Sequence, residues 1–177
     1  MRLTRIVALV GMMGAGKSAL GRRLAAKLNV PFYDSDAEVV VAAGCTIPEI
    51  FRRYGEPAFR ECERKVLDRL LNAPPHILAT GGGAFMNENT RSRIKTSAVS
   101  MWIDAPIDVL LTRVQRKDDR PLLKNGDPRE IMTRLLKERE PFYALADLKV
   151  MSNDVPHAET VEHMVELLKQ LGVCEEP

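Results

Sequence analysis

A chain of 177 residues with 26 Lys and Arg against 24 Asp and Glu is long enough for one buried core and lacks the basic excess of a nucleic-acid binder. Its 45% hydrophobic and 28% charged content excludes disorder as the dominant state, and no apolar run approaches the ~20 residues of a membrane helix. One domain over 1–177 is implied, expected in the cytoplasm as a monomer with neither nucleic acid nor membrane as partner. Met1-Arg2-Leu3-Thr4-Arg5 leads into an apolar stretch broken by Gly11 and Gly14, too short for a secretory signal. Cys45, Cys62 and Cys174 form no CxxC and no cluster with His76, His157 or His163, as free thiols in a reducing compartment would read.

Short β-rich runs alternate with longer helical patterns, the signature of an α/β parallel sheet covered by helices. Ile6 to Val10 is a continuous apolar run, as a strand buried on both faces should be. Leu20, Leu24 and Leu28 then recur every fourth residue and mark one helix stripe. Pro31-Phe32-Tyr33 is extended and ends at Asp34. Thr46-Ile47-Pro48-Glu49 fits a capping box, with Gly55 as the stop. Pro57 opens a helix carrying Cys62, Val66, Leu67, Leu70 and Leu71, ending before Pro74-Pro75. Ile77 to Thr80 is a strand running into Gly81-Gly82-Gly83. Val99 to Ile103 is another, ending at Asp104, with Pro106 starting a helix through Val114. Leu148 to Met151 is a fifth strand, and a final helix spans about His157 to Leu171. Between Arg116 and Pro128 the chain is charged and turn-rich without an apolar stripe, which reads as a solvated loop or as a lid over a site.

Gly11-Met12-Met13-Gly14-Ala15-Gly16-Lys17-Ser18 satisfies G-x-x-x-x-G-K-[ST], with a buried strand before it and an amphipathic helix after it. Glycines that tolerate φ > 0 let successive N–H groups converge on phosphate oxygens, and the helix adds the positive end of its dipole. Gly14, Ala15, Gly16, Lys17, Ser18 and Ala19 are therefore the expected nucleoside triphosphate contacts. Lys17 supplies a point charge and the Ser18 hydroxyl a ligand for Mg²⁺. Asp34-Ser35-Asp36 ends the second strand, where open α/β sheets place ligands. These two carboxylates suit a division between metal and substrate hydroxyl. Asp104 also ends an apolar strand and competes for the metal, and a reading of Asp36 as a helix N-cap stays open. Gly81-Gly82-Gly83 exposes backbone amides to a ligand or simply makes a tight turn. Arg60, Arg120 and Arg139, taken singly, read as solvated charges.

Together these segments resemble the shikimate kinase family. The match is carried by Gly11 to Ser18 with Gly21-Arg22, Asp34-Ser35-Asp36, Phe59-Arg60 with Glu63, Gly81-Gly82-Gly83, Arg120-Pro121-Leu122 and Arg139 with Tyr143, and covers nearly the whole chain. The resemblance implies a five-stranded parallel sheet of the nucleoside-monophosphate-kinase type, with a substrate-binding region at about 34–62 and a lid at about 114–127. It implies transfer of the γ-phosphate of ATP to the 3-hydroxyl of shikimate, with Mg²⁺, on the route to aromatic amino acids. By the same resemblance Lys17, Asp36 and Arg120 are catalytic, and Ser18 and Asp34 serve the metal. Asp36, Arg60, Gly82, Gly83 and Arg139 bind shikimate, the two arginines facing its carboxylate. Arg113 lies near adenine and Arg120 reaches the phosphates. A gluconate or nucleoside monophosphate kinase would share the P-loop without calling for the aspartate and glycine triplets. A GTPase switch would want Asn-Lys-x-Asp, which does not occur.

Overall fold

The computed structural model describes residues 1–115, 126–153 and 156–175. Its elements in chain order are β1 (Arg2–Leu3), β2 (Ile6–Val10), α1 (Lys17–Leu28), β3 (Phe32–Asp34), α2 (Ser35–Ala43), α3 (Ile47–Leu70), β4 (Ile77–Ala79), α4 (Glu88–Ser97), β5 (Ala98–Asp104), α5 (Ile107–Gln115), α6 (Pro128–Tyr143), β6 (Leu148–Met151), α7 (His157–Gln170) and β7 (Cys174–Glu175). Five strands form one parallel sheet in the order β3-β4-β2-β5-β6. All five predicted strands are in it.

β2 sits at the centre, paired with β4 and β5, and all five of its residues are buried. A strand covered on both faces gains nothing from alternation, which explains the unbroken Ile-Val-Ala-Leu-Val. The Leu20, Leu24 and Leu28 stripe of α1 is buried too, each side chain contributing about 1.5–3 kcal/mol over an exposed position. α1 packs beside α7 and against β3 and β4, while α4 packs on β5 and α3. Ser100 in β5 donates from N and Oγ to the Asp147 carboxylate at 2.8 and 2.7 Å, and the Asp147 N–H returns a bond to Ser100 Oγ. That reciprocal pair sets where β6 begins.

The capping box at Thr46 and Glu49 forms as expected. Gly55 breaks the helical path where the stop was expected, with φ 80° and ψ 174°, and Pro57 restarts it, so α3 is two helical halves joined across this kink. Three further helices lie where the sequence showed no stripe. α2 carries a Val39-Val40-Val41 run of β-branched residues, and α4 buries only Thr90 and Ile94. α6 is largely charged, with Met132, Arg139 and Tyr143 buried. The two-residue β1–β7 antiparallel ribbon pairs Arg2 with Glu175 and Leu3 with Cys174. Most of the proposed lid, including Arg120, lies outside the described residues.

A parallel sheet brings the carboxyl ends of its strands to one edge. Val10, Asp34, Ala79, Asp104 and Met151 mark that edge, and the segments after the first three carry the motifs picked out above.

Candidate active site

The loop from Gly11 to Gly16 joins β2 to α1, and Gly11, Gly14 and Gly16 all adopt positive φ, at 138°, 83° and 97°. Those angles turn the loop's amides inward at little steric cost. Gly16 stands at the N-cap of α1, where no side chain caps the helix and no acidic residue occupies the first turn. The positive end of α1 is thus left to an incoming anion. Lys17 is buried, and its Nζ donates to the carbonyls of Gly11 and Met12 at 2.8 and 2.9 Å. The ammonium is folded back over the loop that would surround a phosphate.

Asp34, not Asp36, is the N-cap of α2: its Oδ1 accepts from the N–H groups of Asp36 and Ala37. Its other oxygen accepts the Ser18 hydroxyl at 2.5 Å. The cap therefore fixes one carboxylate oxygen and aims the second at the P-loop. A hydroxyl and a carboxylate side by side are the hard oxygen donors that suit Mg²⁺, which binds through few protein groups plus phosphate and water. Among the described residues no cluster of three His, Cys, Asp or Glu could hold a metal ion by itself. Asp104, the competing carboxylate, instead forms an ion pair with Lys149 at 3.0 Å, and Lys149 lies over the Trp102 ring.

Ser35, buried between the two aspartates, accepts the Gly81 N–H at 2.9 Å and ties α2 to the glycine turn. The absence of Cβ atoms along that turn is what admits the charged groups. A Cβ on Gly83 would sit 2.9 Å from both terminal nitrogens of Arg60, and one on Gly82 3.5 Å from Arg139 Nη1. Arg60 from α3 and Arg139 from α6 thus lie over one glycine surface, 79 positions apart in sequence. Tyr143, one turn beyond Arg139, donates to the Gly82 carbonyl at 2.5 Å. Burial pushes its hydroxyl up to about 12, so it remains a donor.

A cavity of about 530 Å³ runs from Ser18 and Asp34, past Asp36 and the glycines, to Arg60 and Arg139. Met13, Val40, Ile47, Phe51 and Phe59 give it an apolar wall, with the two phenylalanine rings 4.9 Å apart. Glu63 also lines it, and burial raises that carboxyl above its ordinary value despite the Arg60 charge beside it. Arg113 stands outside this cavity. It donates to the carbonyls of Gly14 and Ala15, to Ser152 Oγ and to the Asn153 carbonyl, and so joins α5 to the P-loop and to the segment after β6.

Sequence reasoning assigned no role to Ser35, Glu63 or the apolar wall. The spacing of Arg60 and Glu63, three residues apart on one helix face, was the available signal for their ion pair. The wall carried no signal, because its residues come from a loop and two helices with no shared periodicity.

The family signature described as “Shikimate kinase” matches residues 13–169. A shikimate kinase of Bradyrhizobium diazoefficiens is 56% identical over 165 residues, 93% of this chain and 80% of that protein. A shikimate kinase of Paramagnetospirillum magneticum is 54% identical over 97% of this chain and 89% of its own length. Among solved structures, shikimate kinase from Acinetobacter baumannii in complex with shikimate superposes with a TM-score of 0.91 at 34% identity, covering 96% of each chain. A gluconokinase from Sinorhizobium meliloti, 17% identical with a TM-score of 0.62 over 97% of this chain and 95% of that one, shares the fold.

Proposed function

This chain belongs to the shikimate kinase family, and on that premise we propose that it transfers the γ-phosphate of ATP to the 3-hydroxyl of shikimate, giving ADP and shikimate 3-phosphate. The observation that carries this reading is the single continuous cavity linking Ser18 and Asp34 at the phosphate end to Arg60 and Arg139 at the other. A reaction between two bound molecules needs both in one enclosure, and phosphoryl transfer needs positioning and charge stabilisation more than covalent help.

Lys17 exchanges the Gly11 and Met12 carbonyls for phosphate oxygens, so its charge is neutralised in place rather than carried in from solvent. Ser18 and Asp34 would hold Mg²⁺, which would supply positive charge against the triphosphate. Asp36 orients the acceptor hydroxyls and accepts the proton of the attacking one. Arg60 and Arg139 receive the acceptor's carboxylate, which planar guanidinium groups match with two parallel donors. Gly82 and Gly83 let that carboxylate approach the backbone, and the apolar wall excludes water from one face of the ring. Gly14 to Ala19 cradle the triphosphate, and Arg113 supports the nucleotide from α5. Segment 34–62 serves as the substrate-binding region and 114–127 as a lid that brings Arg120 to the phosphates, a role supported by the Arg120-Pro121-Leu122 match.

The acceptor is a small molecule. A monomer acting in the cytoplasm without nucleic acid or membrane completes the reading; the three free cysteines support a reducing compartment and the near-balanced charge a partner other than nucleic acid. No helix among the described residues is long and apolar enough to cross a membrane. The test is release of ADP with and without shikimate and Mg²⁺. Turnover should require all three components; slow hydrolysis indifferent to shikimate would overturn the reading.

A further inference from the structure

Glu63 enters the acceptor cavity from α3 with a side chain only 6% exposed. Its Oε2 accepts from Arg60 Nη1 at 3.2 Å. Its Oε1 is buried without a hydrogen-bond partner among the described residues. That oxygen lies at the glycine turn beside another carboxylate: a Cβ on Gly81 would sit 2.6 Å from Glu63 Oε1 and 2.8 Å from Asp36 Oδ1. A buried carboxylate with one oxygen unsatisfied and a like charge nearby is costly to keep ionised.

The counter-charge beside it is shared. Arg60 also donates from Nε and Nη2 to Glu56 Oε1, at 3.3 and 3.1 Å. The charged groups facing Glu63 are Arg60 on its own helix, Asp36 from α2 and Arg139 from α6. Burial already raises the carboxyl, with Asp36 acting in the same direction and the two arginines opposing. On the reading that Arg60 and Arg139 receive the substrate's carboxylate, docking brings another anion to a guanidinium that already serves two. Glu56, 55% exposed, has water to turn into. Glu63 is only 6% exposed and has far less room to turn, because α3 holds it in the cavity wall.

We propose that Glu63 takes up a proton as shikimate docks, so that a neutral acid stands beside Asp36 while both arginines direct their charge to the substrate. One proton leaves solvent and one O–H bond forms on Glu63; no bond of the substrate changes. Glu63 is thus a positioning residue that acts through Arg60. The sign follows from linkage: a ligand whose binding takes up protons binds more weakly as pH rises, by up to about tenfold per pH unit for one full proton.

The test is calorimetric titration of the full chain with shikimate alone, at one pH, in buffers of different ionisation enthalpy. The binding heat should vary with buffer in the sense of proton uptake, by more than zero and at most one proton. Affinity should fall with rising pH across the window of uptake. Glu63→Gln, a permanently neutral isostere, should bind shikimate with a buffer-independent heat and a flattened pH profile. Infrared difference spectra of the wild-type chain supply a second measurement that needs no variant: a carboxylic-acid C=O band should appear on docking. Normal shikimate binding with buffer-independent heat, or without that band, would overturn the proposal, as would undiminished uptake in Glu63→Gln. If instead Arg60→Ala and Arg139→Ala bind shikimate normally, the carboxylate reading itself fails and the proposal falls with it.

Discussion

The phosphate end and the acceptor end of the cavity are built by opposite means. At the phosphate end one loop of consecutive residues supplies backbone amides, an uncapped helix terminus and Lys17, all within Gly11 to Ser18. At the acceptor end the cavity draws side chains from α2, α3 and α6 around a turn that contributes space. A backbone cradle is local and repeats wherever the loop conformation repeats, so it is shared among many kinases. A side-chain pocket is non-local and carries the discrimination between acceptors. The two ends also differ in charge. The first awaits an anion with a buried cation, whereas the second already holds Glu56, Glu63 and Asp36 around Arg60 and Arg139.

Removing the cation of the backbone cradle should have the largest effect. Lys17→Met is expected to lower turnover by roughly 10³-fold or more, since a preorganised charge on the transferred group is lost. Thermal unfolding should move little, because the lost hydrogen bonds end on loop carbonyls. Steady-state kinetics with a melting curve checks both; near-normal turnover would remove Lys17 from the phosphate site.

Asp36→Asn acts where the two ends meet. Turnover with shikimate should fall by roughly 10²-fold, the scale of a lost general base, with the Michaelis constant for ATP nearly unchanged. An equal rise in both Michaelis constants would show that Asp36 does not belong to the acceptor side.

Arg60→Ala and Arg139→Ala sharpen the contrast from the acceptor end. Each hydrogen bond to a charged group is worth about 1.5–3 kcal/mol, so the Michaelis constant for shikimate should rise roughly 10–100-fold. That for ATP should stay close to wild type. Lysine at either position should rescue in part, restoring charge without the two-donor geometry. A wild-type enzyme that used a carboxylate-reduced analogue as well as shikimate would refute the clamp.

The smallest expected effect separates two carboxylates at the phosphate end. Asp34→Asn should raise the Mg²⁺ needed for half-maximal rate by about tenfold, as loss of a group that orients metal ligands does. Asp104→Asn should leave it unchanged, since that carboxylate is engaged with Lys149. The reverse pattern in a Mg²⁺ titration would exchange their roles.

Much of the fold was legible because it follows local rules. A continuous apolar run marked β2, short β-rich runs marked the other four sheet strands, and the 20–24–28 stripe marked α1. α2, α4 and α6 were not legible, and each for a physical reason. The β-branched run of α2 reads as extended, the surface of α4 is almost wholly polar, and α6 is charged and bears Pro141 near its end. Tertiary contacts hold these helices where periodicity does not announce them. The β1–β7 ribbon needs the two ends of the chain side by side, which no local window contains.

The amino-acid order by itself determined the P-loop, because a phosphate cradle is made from neighbouring backbone groups and neighbours are what a sequence records. It determined the parallel sheet as well, through the apolar runs of its central strands and the helical segments between strands. Only the tertiary structure decided that Asp34 caps α2 and presents its second oxygen to Ser18, a matter of side-chain direction. The same holds for the meeting of Arg60 and Arg139 over Gly82 and Gly83, and for the burial of Glu63 with one oxygen unsatisfied beside Asp36. Electrostatic energy depends on distance and on access to water, and both are set by packing between segments far apart in the chain.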